Sequence, residues 1–471
     1  MNNDRIQIME NTPVRQAIIK LALPTMLSMA VVMIYNLTDT FFIGRLNNPN
    51  LVAALSIASP IFMAIQAIGN IFANGAASYI SRKLGAKEND EAKSTASVAI
   101  YTAIAIGVVI TAALLIFREP LLSFIGTSAA TYQATSDYYT VISVFAIIFI
   151  FQIAISGLIR SEGATNIAMM GIILGIGLNI VLDPIFILVL DMGVGGAAWA
   201  TAIGNGVGAL YYIGYFARKK SLLSIAPRWF KPNKVMYGET FKIGIPSALS
   251  NLVMSFSMVL VNILAAGYGD HVVAGNGIQM RVASMAFMLI MGLAQGFQPF
   301  AGYNYGAEMY HRLKDGFKIT LIYSTILACF FCLIFIIFGE SLIGAFIKDQ
   351  ATVDAGAKIL KAFAIAIPFV GLQMTMMITF QSVGKAINAM IVSLGRQCII
   401  YVPALFILNH LFGFNGFIYA QPIADFLTTG GAVLMSLSFF KGLGRLDDEY
   451  ASNENAAGED KLPQPEPVAV D

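Results

Sequence analysis

The chain has 471 residues, of which 57% are hydrophobic and only 12% charged, with a formal net charge of +2. A water-soluble domain carries about 25% charged residues, so half that share leaves too little polar surface to face water on every side. Part of the solvent must be lipid, and an ordinary soluble enzyme is excluded.

The charges are also segregated. They lie between long apolar runs such as Val98–Phe117, Val141–Leu158, Ile319–Phe338 and Ala389–Leu408, the last broken only by Arg396. A helix needs about 20 residues to cross a hydrocarbon core of ~30 Å. An open sheet edge could not satisfy its backbone there, so the spans are helical.

The first span is expected over 16–43. The apolar run after Lys20 is too long for the core of a cleavable signal peptide, so it reads as a true span. Pro24 stands early in it and removes a backbone donor, which makes it a candidate hinge. Asp39 lies toward the other end, in Tyr35-Asn36-Leu37-Thr38-Asp39-Thr40. Spans two to four are expected over 52–80, 95–117 and 134–158, the fourth carrying Tyr138 and Gln152. Span five, 166–190, holds Asn179 and Asp183-Pro184, and span six, 196–217, holds Thr201. Gly171-x-x-x-Gly175 and Gly204-x-x-x-Gly208 put small residues on one face of each, as close helix packing requires.

A basic linker with Trp229 and Phe230 among its lysines follows at 218–237 and reads as an interfacial strap. Six further spans are expected over 238–267, 273–302, 316–339, 356–381, 388–411 and 416–440. Cys329, Cys332 and Cys398 lie in apolar runs and read as packing residues. The chain then closes with a tail, 441–471, whose part after Leu446 carries a net charge of −7, together with Pro463, Pro465 and Pro467, and it is expected to be disordered.

Lysine and arginine set the orientation. With the N-terminus in the cytoplasm, 22 of the 29 fall on the inner side and 5 on the outer. Both termini are therefore expected inside.

Segments about 221 residues apart match in order along the chain. Lys20-Leu-Ala-Leu-Pro24 through Ser28 pairs with Lys242-Ile-Gly-Ile-Pro246 through Ser250, Leu84-Gly85-Ala86 with Tyr305-Gly306-Ala307, Gly163 with Gly384, and Gly193-x-x-Gly196 with Gly413-x-x-Gly416. Six spans per half is an even number, so both halves start on the same side and the repeat is parallel. The expected fold is an all-α polytopic membrane protein of twelve transmembrane helices in two six-helix bundles: an N-terminal lobe (1–217), the linker (218–237), a C-terminal lobe (238–440) and the tail (441–471).

Few ionisable residues lie deep in the spans: Asp39, Asp183, Arg281, Arg396 and Asp425. Each costs at least about 2.5 kcal/mol at the bilayer centre, so each is paired, neutralised or functional. In the first half two acids have no deep base. Asn179 and Asp183, four apart, share a helix face, and Pro184 weakens the backbone bonding beside them. With Asp39 and a hydroxyl from Thr201 they make an oxygen-rich cluster suited to a hard cation. Close carboxylates also favour a proton carrier. The plainer alternative is that both acids only bond to backbone or to Tyr35, Tyr138 and Tyr139. In the second half Asp425 has candidate bases, and a structural ion pair is expected, most simply Arg281–Asp425. His271, His311 and His410 fall at span ends, which argues against a histidine relay. The 22 Met and 33 Phe suit an adaptable apolar cavity.

Leu23-Pro24, Asp39, Ser81-Arg82-x-Leu84-Gly85-Ala86, Arg160-Ser-Glu-Gly163 and Asn179-x-x-x-Asp183-Pro184, in two homologous halves, resemble the multidrug and toxic compound extrusion (MATE) family, over about residues 10–440. The likeness is strongest to its bacterial DinF and MepA-like branch. It implies a cation site at Asp39, Asn179, Asp183 and Thr201, bending at Pro24, and export of small amphipathic, often cationic drugs or dyes in exchange for H⁺ or Na⁺. Tyr35, Tyr138 and Gln152 are candidate substrate or gating contacts. Relatives with a Glu on span four differ here, because Ser156 stands near that place and Glu162 lies at the inner end. The expected setting is the bacterial inner membrane, as a monomer without cofactor, resident metal or nucleic-acid partner. A flippase for lipid-linked saccharides, from the same wider superfamily, is the alternative. An intramembrane enzyme is disfavoured, since the spans hold no His/Glu metal motif.

Overall fold

The computed structural model describes residues 2–44 and 49–459, with the backbone alone at 2–3, 37, 39–44, 49–50, 52 and 446–459. Among the described residues every regular element is helical. The first half comprises α1 (Asn2–Glu10), α2 (Val14–Gly44), α3 (Pro49–Gly85), α4 (Asn89–Ile116), the short α5 (Arg118–Phe124), α6 (Tyr132–Val144), α7 (Ala146–Ser161), α8 (Thr165–Pro184) and α9 (Gly193–Ala217). The second comprises α10 (Lys234–Ala266), α11 (Asp270–Gly306), α12 (Tyr310–Gly344), α13 (Gln350–Ser382), α14 (Ala386–Leu394) and α15 (Tyr401–Glu459).

These helices group into twelve passes. Span four is α6 and α7, bent by 52°. Span eleven is α14, a π-helical turn (Gly395–Ile399) and the first part of α15. At Gly413, with φ +55°, α15 folds back into span twelve and stays helical to Glu459. Among the described residues nine helices are individually long and apolar enough to cross a membrane, or ten if the bent pair counts as one span. The shortfall from twelve has two causes. The stretch Ala386–Arg445 holds two passes, and the glycine-rich α9 is not among the nine.

The outer surface is apolar, with Leu210 67% and Leu434 70% exposed. A belt of such side chains has a stable solvent only in lipid. Cys329 belongs to this outer face and not to the core.

The repeat is visible in the backbone. Gly163 and Gly384 have φ of +80° and +81°, and Gly193 and Gly413 of +54° and +55°. Lys87 and Glu308, one residue after the matched Ala86 and Ala307, are both left-handed at 62° and 58°. The contacts between halves are reciprocal. A Cβ on Gly75 of α3 would strike the backbone of Thr240 in α10, and one on Gly296 of α11 would strike Ala22 in α2. At the ends of α3 and α11, Gly85 lies against the Tyr303 carbonyl and Gly306 against that of Arg82. Missing side chains let the backbones approach, and dispersion and polar contacts hold them where lipid supplies no hydrophobic drive.

α1 was not legible as an element. Its Met9 is fully buried, and the helix spans the joint between the halves. The linker lies along α4: Ser97 Oγ and Tyr101 OH donate to the carbonyls of Ala226 and Ile225 at 3.2 and 3.1 Å, and Lys93 Nζ sits 4.8 Å from the Trp229 ring centre.

Candidate functional site

The glycines on α8 and α9 decide where the polar residues of the first half meet. A Cβ at Gly175 would lie 2.7 Å from the carbonyl oxygen of Gly204, and one at Gly204 would lie 3.2 Å from Asn179 Cβ. Only bare backbone permits this crossing, and it sets Asn179 beside α9. Asn179 Nδ2 donates to Asp183 Oδ1 at 3.5 Å along its own helix and to Thr201 Oγ1 at 3.4 Å across it. Tyr35 OH of α2 lies 3.3 Å from the same Thr201 hydroxyl. Asn179, Asp183 and Thr201 are all buried, and the Asn179 carbonyl Oδ1 has no hydrogen-bond partner among the described residues.

Beyond Asp183 the helix changes pitch. Pro184 has no N–H to give, and the chain passes directly into a π-helical turn, Ile185–Val189. Such a turn loosens the backbone next to the carboxylate. No Lys or Arg occurs in residues 165–217. What results is a cluster of carboxylate, amide and hydroxyl oxygens that can bind a proton or a small hard cation.

The side chain of Asp39 lies outside the described residues. Tyr138 of α6 is buried. The half-buried Gln152 of α7 faces the α8–α9 crossing, its Nε2 3.6 Å from where a Cβ on Gly208 would stand. Among the described residues no group of three or more His, Cys, Asp or Glu is placed to hold a metal.

Around Pro24, hydroxyl groups bond back to carbonyls of their own helix. Ser28 Oγ donates to the Pro24 carbonyl at 2.9 Å and Thr25 Oγ1 to that of Ala22 at 2.7 Å. In the second half Ser250 Oγ donates to the Pro246 carbonyl at 2.8 Å, so the device is repeated.

The second-half ion pair differs from the expected one. Asp425 is paired with Arg396, Nε to Oδ1 2.8 Å, not with Arg281. The π-helical turn contains Arg396 and turns it inward, whereas Arg281 falls on the exposed side of α11. Gln421 Nε2 also donates to Asp425 Oδ1 at 3.3 Å, and Gln373 Nε2 to the Asp425 backbone carbonyl at 2.6 Å.

A polar seam at the basic end ties the halves together. Buried Arg160 of α7 donates to Gln295 of α11 at 2.9 Å, Arg82 of α3 pairs with Glu239 of α10 at 2.6 Å, and Ser78 of α3 donates to the carbonyl of Gln381 in α13. α1 adds to it from above. Arg5 pairs with Glu162 of the first half at 3.0 Å, while Tyr303 and Arg312 of the second half bond to Glu10 and the Met9 carbonyl at 3.1 and 2.9 Å. Burial pushes the Glu162 carboxyl up, against Arg5 and the donors of Tyr215, Ser221 and Leu222, which pull it down. Sequence reasoning did not pair these residues. The one available signal was the ionisable Glu162 standing at the very end of an apolar span.

The MatE family model matches the chain twice, over residues 24–185 and 246–407, once in each half. The chain is 34% identical over 435 residues to the multidrug export protein MepA of Staphylococcus aureus, covering 92% of this chain and 96% of that one. It is similar to the crystal structure of a MATE protein in complex with MaL6, with a TM-score of 0.90 and 26% identity over 93% and 99% of the two chains. It is also similar to an outward-facing multidrug resistance MATE family transporter, with a TM-score of 0.89 and 26% identity over 93% and 98%. With the duplicated match, the twelve passes and the cluster on α8 and α9, the chain belongs to the MatE family, the multidrug and toxic compound extrusion transporters.

Proposed function

We propose that this protein exports amphipathic, often cationic compounds from the bacterial cytoplasm and is driven by H⁺ or Na⁺ moving inward. It works by alternating access between two rigid lobes, 1–217 and 238–440, joined by the linker 218–237, with both termini in the cytoplasm. Asp39, Asn179, Asp183 and Thr201 form the coupling site. The observation that carries this reading is the buried Asn179–Asp183–Thr201 cluster, tied to α2 through Tyr35 at 3.3 Å.

A cation shifts a two-state equilibrium only when it binds the two states unequally. Here it would change the bonding between α8–α9 and α2, and the weakened backbone at Pro24 would let α2 respond. The seam at the basic end supports a conformer sealed toward the cytoplasm. Export to the outside then requires that seam to open and re-form in each cycle.

The test is ethidium efflux in vesicles under an imposed pH or Na⁺ gradient, comparing the unaltered chain with Asp39→Asn and Asp183→Asn. Gradient-driven efflux that both variants lose, at normal expression, supports the reading, and the gradient that works names the ion. Unchanged efflux in both variants would sink the coupling site. Absence of efflux for ethidium and a panel of other cations would turn the assignment toward a saccharide-lipid flippase.

A further inference from the structure

A lateral groove of about 430 Å³ opens between the two halves, walled by α2, α11 and α12. From α2 come Ile19, Leu23 and Met26, from α11 Leu293, and from α12 Ile326 and Phe330. Tyr323 supplies the one hydroxyl in the wall. The rim is open to the outside, with Leu23 53% and Ile326 61% exposed. At the depth of the spans this opening faces hydrocarbon, so its occupant is apolar where it meets these residues.

What selects the occupant is the end of the groove. α2 and α12 both begin at the basic side of the molecule and run outward. On α2, Arg15, Ile19 and Leu23 stand four apart on one exposed face, and on α12 so do Lys318, Ile322, Ile326 and Phe330. Side chains four apart on a helix lie one above the other. Each apolar wall therefore leads toward the basic side into an exposed cation: Arg15 one turn beyond Ile19 on one wall, and Lys318 two turns beyond Ile326 on the other. Two cations at headgroup level above an apolar slot match a molecule with an anionic head and an acyl tail. They do not match a zwitterionic lipid as well, nor a cationic drug.

We propose that the groove is a binding site for one anionic phospholipid, its phosphate held by Arg15 and Lys318 and one acyl chain lying along Ile19, Leu23, Ile326 and Phe330. The leaflet, the inner one, rests on the orientation proposed above. The site has a direct route to the transport cycle. Leu23 and Met26 flank Pro24, so a seated chain fills the space beside the turn whose bending is proposed to accompany transport. It also bridges the first helix of one lobe to the third of the other, and it stabilises the arrangement in which both walls are present.

The test is Trp fluorescence in nanodiscs, with Leu327→Trp placed in the groove of a Trp199→Phe/Trp229→Phe chain. Brominated phosphatidylglycerol in a phosphatidylcholine disc is compared with brominated phosphatidylcholine in the same mixture. Each interfacial cation favours an anionic lipid by about fivefold, so the brominated anionic lipid quenches far beyond its share. Arg15→Gln/Lys318→Gln removes the preference, and Arg15→Lys/Lys318→Arg keeps it. Native mass spectrometry of the chain without the reporter gives an independent reading: the double Gln variant retains one fewer anionic lipid. Equal quenching by the two lipids, or a preference and lipid count unchanged in the double Gln variant, overturns the proposal. Drug efflux is measured separately. Lipid preference with no efflux in any gradient refutes the transport reading alone, and efflux with no preference refutes the lipid site alone.

Discussion

Arg5 and Glu162 form a buried ion pair at 3.0 Å that fastens the N-terminal helix α1 to the first half of the molecule. The same helix is bonded to Tyr303 and Arg312 of the second half. α1 is thus a strap across the basic end, and any opening there must break one set of these contacts. Arg5→Ala leaves Glu162 buried without its cation, a loss of about 3 kcal/mol for a pair broken on one side. Hydrogen exchange of residues 2–10 should speed up and thermal stability should fall. Unchanged exchange would mean α1 is held by its contacts with Tyr303, Asn304 and Arg312 of the second half.

The same pair predicts a pH dependence. The Glu162 carboxyl is raised above its ordinary value by burial. A group raised on folding binds more protons folded than unfolded, so the folded state loses stability as pH rises from the unfolded carboxylate value through the raised folded one. Below that window the penalty is absent, but the neutral acid no longer pairs with Arg5. Acidification should therefore loosen α1 while relieving the burial cost. Glu162→Gln should abolish both trends, as read by exchange of α1 and by melting temperature against pH.

In the first half, Thr201→Val removes the hydroxyl that both Asn179 Nδ2 and Tyr35 OH approach. An unmade bond at a buried amide costs about 1–3 kcal/mol. Gradient-driven efflux should drop by about tenfold or more while expression persists, and Thr201→Ser should restore most of it. Equal efflux in Thr201→Val would detach the hydroxyl from coupling.

The α8–α9 crossing depends on bare backbone. Gly175→Val drives a side chain into the Gly204 carbonyl, 2.7 Å from the first added carbon. Overpacking of this kind costs about 1–3 kcal/mol. It should separate Asn179 from Thr201, so efflux should fall more than stability does. Normal efflux from a stable Gly175→Val chain would show that the crossing can relax without consequence.

In the second half, Arg396→Met alone strands Asp425, and Asp425→Leu alone strands Arg396. Each should cost about 3–5 kcal/mol, whereas the double replacement should be markedly milder. Thermal unfolding of the three variants in one detergent checks this. A double variant as unstable as the singles would mean that Gln373 and Gln421, not the pair itself, depend on these residues.

How far the sequence could be read follows from the range of each interaction. The spans, the duplicated halves and the facing of Asn179 with Asp183 depend on local spacing, so 471 residues read in order were enough to state them. Thr201 entered as a candidate hydroxyl on span six and through the family resemblance, and the close α8–α9 crossing at Gly175 and Gly204 is what sets it beside Asn179. The partner of Asp425 could not be read this way. By sequence Arg281 reads as the simpler partner, and the pairing with Arg396 turned on a π-helical turn that aims Arg396 inward while Arg281 lies on an exposed face. The strap was hidden for the same reason: Arg5 and Glu162 are 157 residues apart, and nine polar-rich residues before the first span give no apolar period that announces a docked helix. Membrane insertion is a property of composition and run length, which the chain carries locally. Which buried charge meets which, and which end of the two-lobed molecule is sealed, depends on the relative rotation of packed helices, and only the tertiary structure decides that.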